Sequence, residues 1–139
     1  MKAIYDQTHF RITHNGDVID FTIDTLPVSP PLNQSFAILT AWNPNNIALS
    51  AEENTVRNEQ LFETLLERGY LFDEALGYLD DHSEESYCIY GVTFEEAIDL
   101  GTMYDQYAIF YRSATHVGYY ECATKAAITE RTLSYGYLI

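Results

Sequence analysis

Basic residues are scarce in this chain. Lysine and arginine together number 7 against 21 aspartates and glutamates, which leaves a formal net charge of -14 over 139 residues. A field of that sign repels phosphate backbones, so no nucleic-acid partner is expected, and cations or basic proteins are favoured instead. Cysteine is equally sparse. Cys88 and Cys122 stand apart, with no Cys-x-x-Cys pair. That spacing argues against a zinc ribbon and fits buried free thiols in a reducing cytoplasm. The 4 histidines are scattered without His-x-x-x-His spacing, and neither a metal site nor a cofactor is expected. No apolar run approaches the ~18 residues of a membrane span, and no basic-then-apolar leader pattern opens the chain. A cytoplasmic chain with no membrane segment is therefore expected. Also missing are a Gly-x-Ser-x-Gly elbow, a Walker-type loop and a Gly-x-Gly-x-x-Gly turn, which removes the common serine-hydrolase and nucleotide-binding chemistries.

What is present describes one globular domain over residues 1–139. Hydrophobic residues make up 47% and charged residues 20%, and a chain of this length can bury a core without metal or disulfide support. The 12 tyrosines suit half-buried sheet faces, with an apolar body and a polar tip.

Residues 1–26 read as a hairpin. Phe10, Ile12 and His14 alternate with polar residues, Asn15-Gly16 supplies a type I′ turn, and Val18 to Ile23 returns. Pro27, Pro30 and Pro31 then interrupt regular structure. Residues 35–123 read as an α+β core. The nearly continuous apolar run Ser35 to Trp42 suits a strand covered on both faces, and Asn43-Pro44-Asn45-Asn46 ends it. Ser50 with Glu53 is a capping box that opens a helix to Arg68, with Gly69 as its C′ residue. Strands follow over Tyr70 to Leu79, bent near Gly77, and Glu84 to Tyr90, separated by the polar turn Asp80 to Ser83. Thr93 with Glu96 caps a second helix to Tyr104, whose Phe94, Ala97, Ile98, Gly101 and Tyr104 share a face. Strands at Tyr107 to Arg112 and Val117 to Ala123 complete the core. Residues 124–139 are a strand carrying Tyr135 and Tyr137 or a loose tail. This order, β-α-β-β-α-β after a hairpin, predicts an antiparallel or mixed sheet with two helices on one face, the ferredoxin-like plan.

The first helix carries an anomaly. Leu61, Leu65 and Phe62 mark its inward face, and the same face continues toward the N-terminus as Asn58, Asn54 and, one position aside, Arg57. Amides and a guanidinium on a buried face need hydrogen-bond partners. They either hold the Asn43 loop and a carboxylate such as Glu84 or Glu85, or they line a pocket. Arg57 suits bidentate capture of an anion, which the helix N-terminus also favours.

The stretch Phe36-Ala37-Ile38-Leu39-Thr40-Ala41-Trp42-Asn43-Pro44, the Asn54, Arg57, Asn58 and Leu61 segment, Glu84-Glu85-Ser86, and Gln106 with Ala108 occur in that order. Together they resemble the bacterial domain-of-unknown-function family 3293. The resemblance covers roughly Phe36 to Arg112. It implies a compact domain and carries no activity with it.

The expected ligand-binding set is Thr40, Trp42, Asn43, Asn54, Arg57, Asn58, Glu84, Glu85 and Gln106, taking a small polar or anionic ligand. An acidic module that engages a basic protein, or acts as an inhibitor, is the second reading. A hydrolase or transferase using Glu84 or Glu85 with Arg57 is the third. His82-Ser83-Glu84 imitates the His-x-Glu of zinc deaminases, but no Pro-Cys-x-x-Cys follows. Glu84 and Glu85 should face opposite sides of the sheet. The edge strand of the hairpin is open to pairing with a second copy.

Overall fold

The computed structural model describes residues 2–133. In chain order the elements are α1 (Lys2–Gln7), β1 (His9–His14), β2 (Asp17–Phe21), β3 (Phe36–Leu39), α2 (Ala51–Glu67), β4 (Leu71–Leu79), β5 (His82–Tyr90), α3 (Phe94–Met103), β6 (Ala108–Arg112), β7 (His116–Glu121) and β8 (Ala127–Thr132). The strands form one sheet in the order β2-β1-β4-β5-β3-β6-β7-β8, and every neighbouring pair is antiparallel.

Local chemistry sets the element boundaries. Asn15 and Gly16 take positive φ (50° and 85°), the backbone that a two-residue hairpin turn requires. Ser50 and Thr93 both close reciprocal capping boxes, with Glu53 and Glu96 respectively. Gly69, at φ 74°, ends α2. All four residues of β3 are buried, because each of its faces meets a different core.

On one face, Ala37, Leu39 and Ile89 pack under α2 and α3 through Leu61, Leu65, Ala97 and Ile98. On the other, Phe10, Ile12, Phe21, Phe36, Ile38 and Phe110 form a second core with no covering α2 or α3. That core is closed by the sheet itself. β1 and β7 lie five strands apart, a separation of about 24 Å if the sheet were flat. Yet Phe10 and Tyr119 bring their ring centroids to 6.1 Å, and Phe10 and Phe110 to 4.8 Å. The sheet is therefore curled into a half-barrel, with this second core inside.

This corrects the ferredoxin-like expectation. In place of a β-α-β-β-α-β unit with an appended hairpin, there is a single curled eight-stranded antiparallel sheet. Among the described residues it carries three helices. Its hairpin strand β1 is hydrogen-bonded to β4 and its far edge is extended by β7 and β8. The physical cause is the second apolar face, which must be buried and is buried by curling. The tail also differs, since β8 occupies Ala127–Thr132; Tyr135 and Tyr137 lie outside the described residues.

Arg131, on β8, joins the two ends of the sheet. Its Nε donates to Asp24 Oδ1 at 2.7 Å, on the segment after β2, and its Nη2 lies 3.2 Å from Asp6 Oδ1 on α1. The Thr129 hydroxyl also donates to Asp6, at 2.6 Å. That hydrogen bond, with help from the Arg131 charge, holds the Asp6 carboxyl below its ordinary value. A carboxylate depressed on folding stabilises above its unfolded pKa and loses that contribution as pH falls through the folded value. Asp20, Glu96 and Glu121 are depressed in the same sense. The melting temperature should therefore hold from neutrality to about pH 5 and fall below about pH 4. In Asp6→Asn the acid-induced part of that fall should be smaller; a scan showing an identical slope in both proteins would contradict the assignment.

Candidate functional site

The chain leaves β3 at Thr40 and crosses the sheet end without ladder hydrogen bonds, so its backbone needs other partners. Side chains supply most of them. Ala41 N–H donates to Asn58 Oδ1 at 2.8 Å, and Ala41 O accepts from Arg57 Nε at 2.6 Å. Trp42 N–H donates to Thr40 Oγ1 at 3.1 Å, and Trp42 O accepts from Gln106 Nε2 at 3.0 Å. Asn43 N–H donates to Asn54 Oδ1 at 2.8 Å, and Asn43 O accepts from Asn46 N–H at 3.0 Å. Every backbone polar group from Ala41 to Asn43 is satisfied. Asn43, Asn45 and Asn46 take left-handed φ values of 45°, 52° and 61°, a region asparagine tolerates better than most residues.

The remaining groups fasten this segment to its surroundings. Asn58 Nδ2 and Thr40 Oγ1 both donate to Glu85 O on β5, at 2.8 and 2.6 Å. Asn54 Nδ2 donates to Asn43 Oδ1 at 2.8 Å, and the same oxygen accepts Leu49 N–H at 3.1 Å. Arg57 also donates through Nη2 to Tyr104 O at the end of α3, and its nearest carboxylate is Asp105 at 3.8 Å. Neither Glu84 nor Glu85 pairs with Arg57. Asn54 and Asn58 are buried. The polar stripe of α2 is thus committed within the chain, as a clamp joining β3, β5, α2 and the end of α3.

A cavity lies beside this clamp, inside the curl. It has a volume of about 690 Å³ and is walled by α1, the β4–β5 turn and the start of β6. Thr40, Glu84 and Gln106 of the expected set line it; Trp42, Asn43, Asn54, Arg57, Asn58 and Glu85 do not. Glu84 and Glu85 fall on opposite faces, with Glu84 opposite Gly77 and Glu85 opposite Leu76. The floor is apolar and buried, built from Phe10, Ile38, Phe110 and Tyr119, while Asp80, Asp81, His82 and Glu84 stand at the mouth. His82 Nε2 lies 3.0 Å from Glu84 Oε2. No lysine or arginine lines the cavity among the described residues.

Two features give the cavity a chemical character. The Tyr5 phenol is held above its ordinary pKa by burial first, then by Tyr107 and the Glu121 and Glu84 carboxylates. Tyr119 is only 5% exposed, and its hydroxyl closes no hydrogen bond among the described residues. Thr8 is the polar neighbour of that phenol; its hydroxyl donates to Ile4 O at 2.7 Å and its oxygen can still accept. Burial also raises both thiols, Cys122 to about 11, so neither is an activated nucleophile near neutral pH.

Tyr5, Phe10, Phe110 and Tyr119 escape a reading of the sequence because they are distant in the chain and meet only when the sheet curls. His82 is visible as part of an acidic turn, but its cavity position depends on β5 beginning at His82 itself.

Fold and clamp together define a single-sheet α+β domain built around one wrapped loop. Residues 39–109, more than half of the chain, match the family described as protein of unknown function (DUF3293), and the chain belongs to that family. The matched segment runs from the last residue of β3 into β6, so it encloses the whole clamp. No curated protein and no solved structure matches. Among the described residues, no helix is long and apolar enough to cross a membrane.

Proposed function

We propose that the protein binds a small amphipathic cation in the cavity of the half-barrel. The observation that carries this reading is an apolar, aromatic chamber whose mouth bears three carboxylates beside His82 and, among the described residues, no lysine or arginine. Its volume lies within the range of small-molecule sites. The aromatic floor suits an apolar or aromatic body, the Tyr119 hydroxyl offers one hydrogen bond in the interior, and Glu84 with Asp80 and Asp81 suits an ammonium group at the entrance. A reducing cytoplasm, where thiols such as Cys88 and Cys122 stay free, is the setting this reading assumes.

The Arg57 guanidinium, which suggested an anionic ligand, is bonded to Ala41 O and Tyr104 O, and this favours a cation over an anion. An enzyme pairing Arg57 with Glu84 or Glu85 is less favoured, since the carboxylate beside Arg57 is that of Asp105. The test is a matched pair of probes, phenethylamine and 3-phenylpropanoate, followed by thermal shift and calorimetry. At a hundred times its dissociation constant the amine should add about 2.7 kcal/mol of stability, and Glu84→Gln should weaken it about tenfold, the loss of one charge-assisted contact. Tighter binding of the carboxylate, or no response to either probe, would overturn the proposal.

A further inference from the structure

A second surface, on the opposite face of the sheet, is built for a different kind of partner. α2 covers β5 and β3 but leaves β4 partly open beside it. In the gap, Phe72 packs edge against face with both Phe62 and Tyr87, which are tilted to each other, and the ring centroids lie 5.4 to 6.0 Å apart. Phe62 is 38% exposed and Leu66 56%, and with Phe72 these side chains border an open groove of about 420 Å³. Single exposed apolar residues need no explanation, whereas a contiguous set along one groove marks a contact surface.

The rim is acidic. Glu59 and Glu63 flank Phe62 on α2, Glu74 borders the groove from β4, and Glu85 lies opposite Leu76 on the next strand; all four are exposed. Behind burial itself, Glu74, Glu85 and Glu59 are what raise the Tyr87 phenol, so three carboxylates converge on the aromatic cluster. The nearest cation on α2, Arg68, stands against Tyr70 and Glu96. A second copy of this chain would set one acidic rim against another, which opposes self-association. β4 is hydrogen-bonded to β5 from Leu71 to Leu79 and to β1 from Ala75 to Tyr78.

We propose that this groove docks a basic amphipathic helix of another protein, with its apolar stripe on Phe62, Leu66 and Phe72 and its lysines or arginines against Glu59, Glu74 and Glu85. Such a helix offers what the surface lacks: cations for the carboxylates and for the faces of the exposed rings. The site shares no residue with the cavity and stands independently of the ligand reading.

The probe is a fluorescein-labelled helix of leucine and lysine in amphipathic register, titrated with the full chain by anisotropy; a leucine–glutamate helix of the same register is the control. The lysine helix should bind with a micromolar dissociation constant and the glutamate helix should not. Phe62→Ser with Leu66→Ser should weaken binding at least tenfold, and Glu59→Gln with Glu74→Gln and Glu85→Gln should do the same and flatten its salt dependence. Asp17→Asn with Glu52→Gln and Glu95→Gln removes equal charge elsewhere and should leave binding unchanged. If the two triple variants weaken it alike, the helix reads only net charge and the proposal fails. It also fails if the lysine helix does not bind, or if sedimentation shows that Phe62 and Leu66 instead close a dimer.

Discussion

Replacing Asn58 with leucine should lower the melting temperature by about 10 °C, from a loss of roughly 3 kcal/mol in a domain of this size. The volume change is small and the hydrogen-bond change is large. Ala41 N–H loses its acceptor in a buried setting, and Glu85 O, part-buried, loses one of its two side-chain donors. An unsatisfied buried group costs about 1–3 kcal/mol, and a misfitted side chain adds to it. Asn58→Asp supplies a sharper test. Ionised aspartate keeps the acceptor for Ala41 N–H, cannot donate to Glu85 O, and buries a negative charge. Its folded pKa should be raised, so its destabilisation is present above that pKa and relieved as pH falls through it. The wild-type chain loses stability in acid; Asn58→Asp should regain some over the upper part of that range. Melting curves for Asn58→Leu within about 2 °C of wild type would show that the clamp contributes little.

Gly118→Ala should cost about 2–3 kcal/mol, and its damage should spread in one direction. A Cβ on Gly118 would sit 2.4 Å from Thr129 O and 3.0 Å from Glu130 Cα, both backbone atoms of β8. No rotamer change relieves a clash with backbone, so β7 and β8 must separate. β8 carries Thr129 and Arg131, which hold α1 and the segment after β2. Hydrogen exchange should therefore accelerate in β8 and α1 while β4 and β5 keep their protection. Gly77→Ala is the comparison. Its Cβ would meet the Phe10 ring at 3.3 Å and Ser86 Oγ at 4.0 Å, both side chains, and a ring edge can yield, so the cost should stay below about 1 kcal/mol. Equal losses in the two variants would refute this account of β7 and β8.

Local chemistry made much of the chain legible. Asn15-Gly16, the Ser50 and Thr93 capping boxes and Gly69 each fix a backbone geometry within a few residues, and no distant contact is needed to read them. The polar stripe of α2 was legible too, because Asn54, Asn58, Leu61 and Leu65 recur at helical spacing. Phe62 lies one position further round and is left half-exposed. Three things were not legible. α1 has no buried residue of its own and is held by Asp6 on Thr129 and by Tyr5 against Tyr119, whose ring centroids lie 4.7 Å apart. His82 and Ser83 belong to β5 because Asp80, at φ 53°, and Asp81 suffice for the turn. The curl depends on rings from β1, β2, β6 and β7 meeting across the sheet, and no window of the sequence contains them together. Without the curl there is no cavity, so the cavity residues were unreadable for the same reason.

Trp42 is the chain's only tryptophan, and its place in the clamp turns it into a built-in optical probe. Its backbone is bonded to Thr40 and Gln106, and its indole nitrogen is buried without a hydrogen-bond partner among the described residues. An indole in such surroundings emits to the blue, and it shifts to the red when water reaches it. Excitation at the red edge of the absorption band passes over the 12 tyrosines, so the emission colour reports on one loop while circular dichroism reports on the whole sheet. If the two transitions separate on heating or in an Asn58 variant, the loop has loosened before the half-barrel opens.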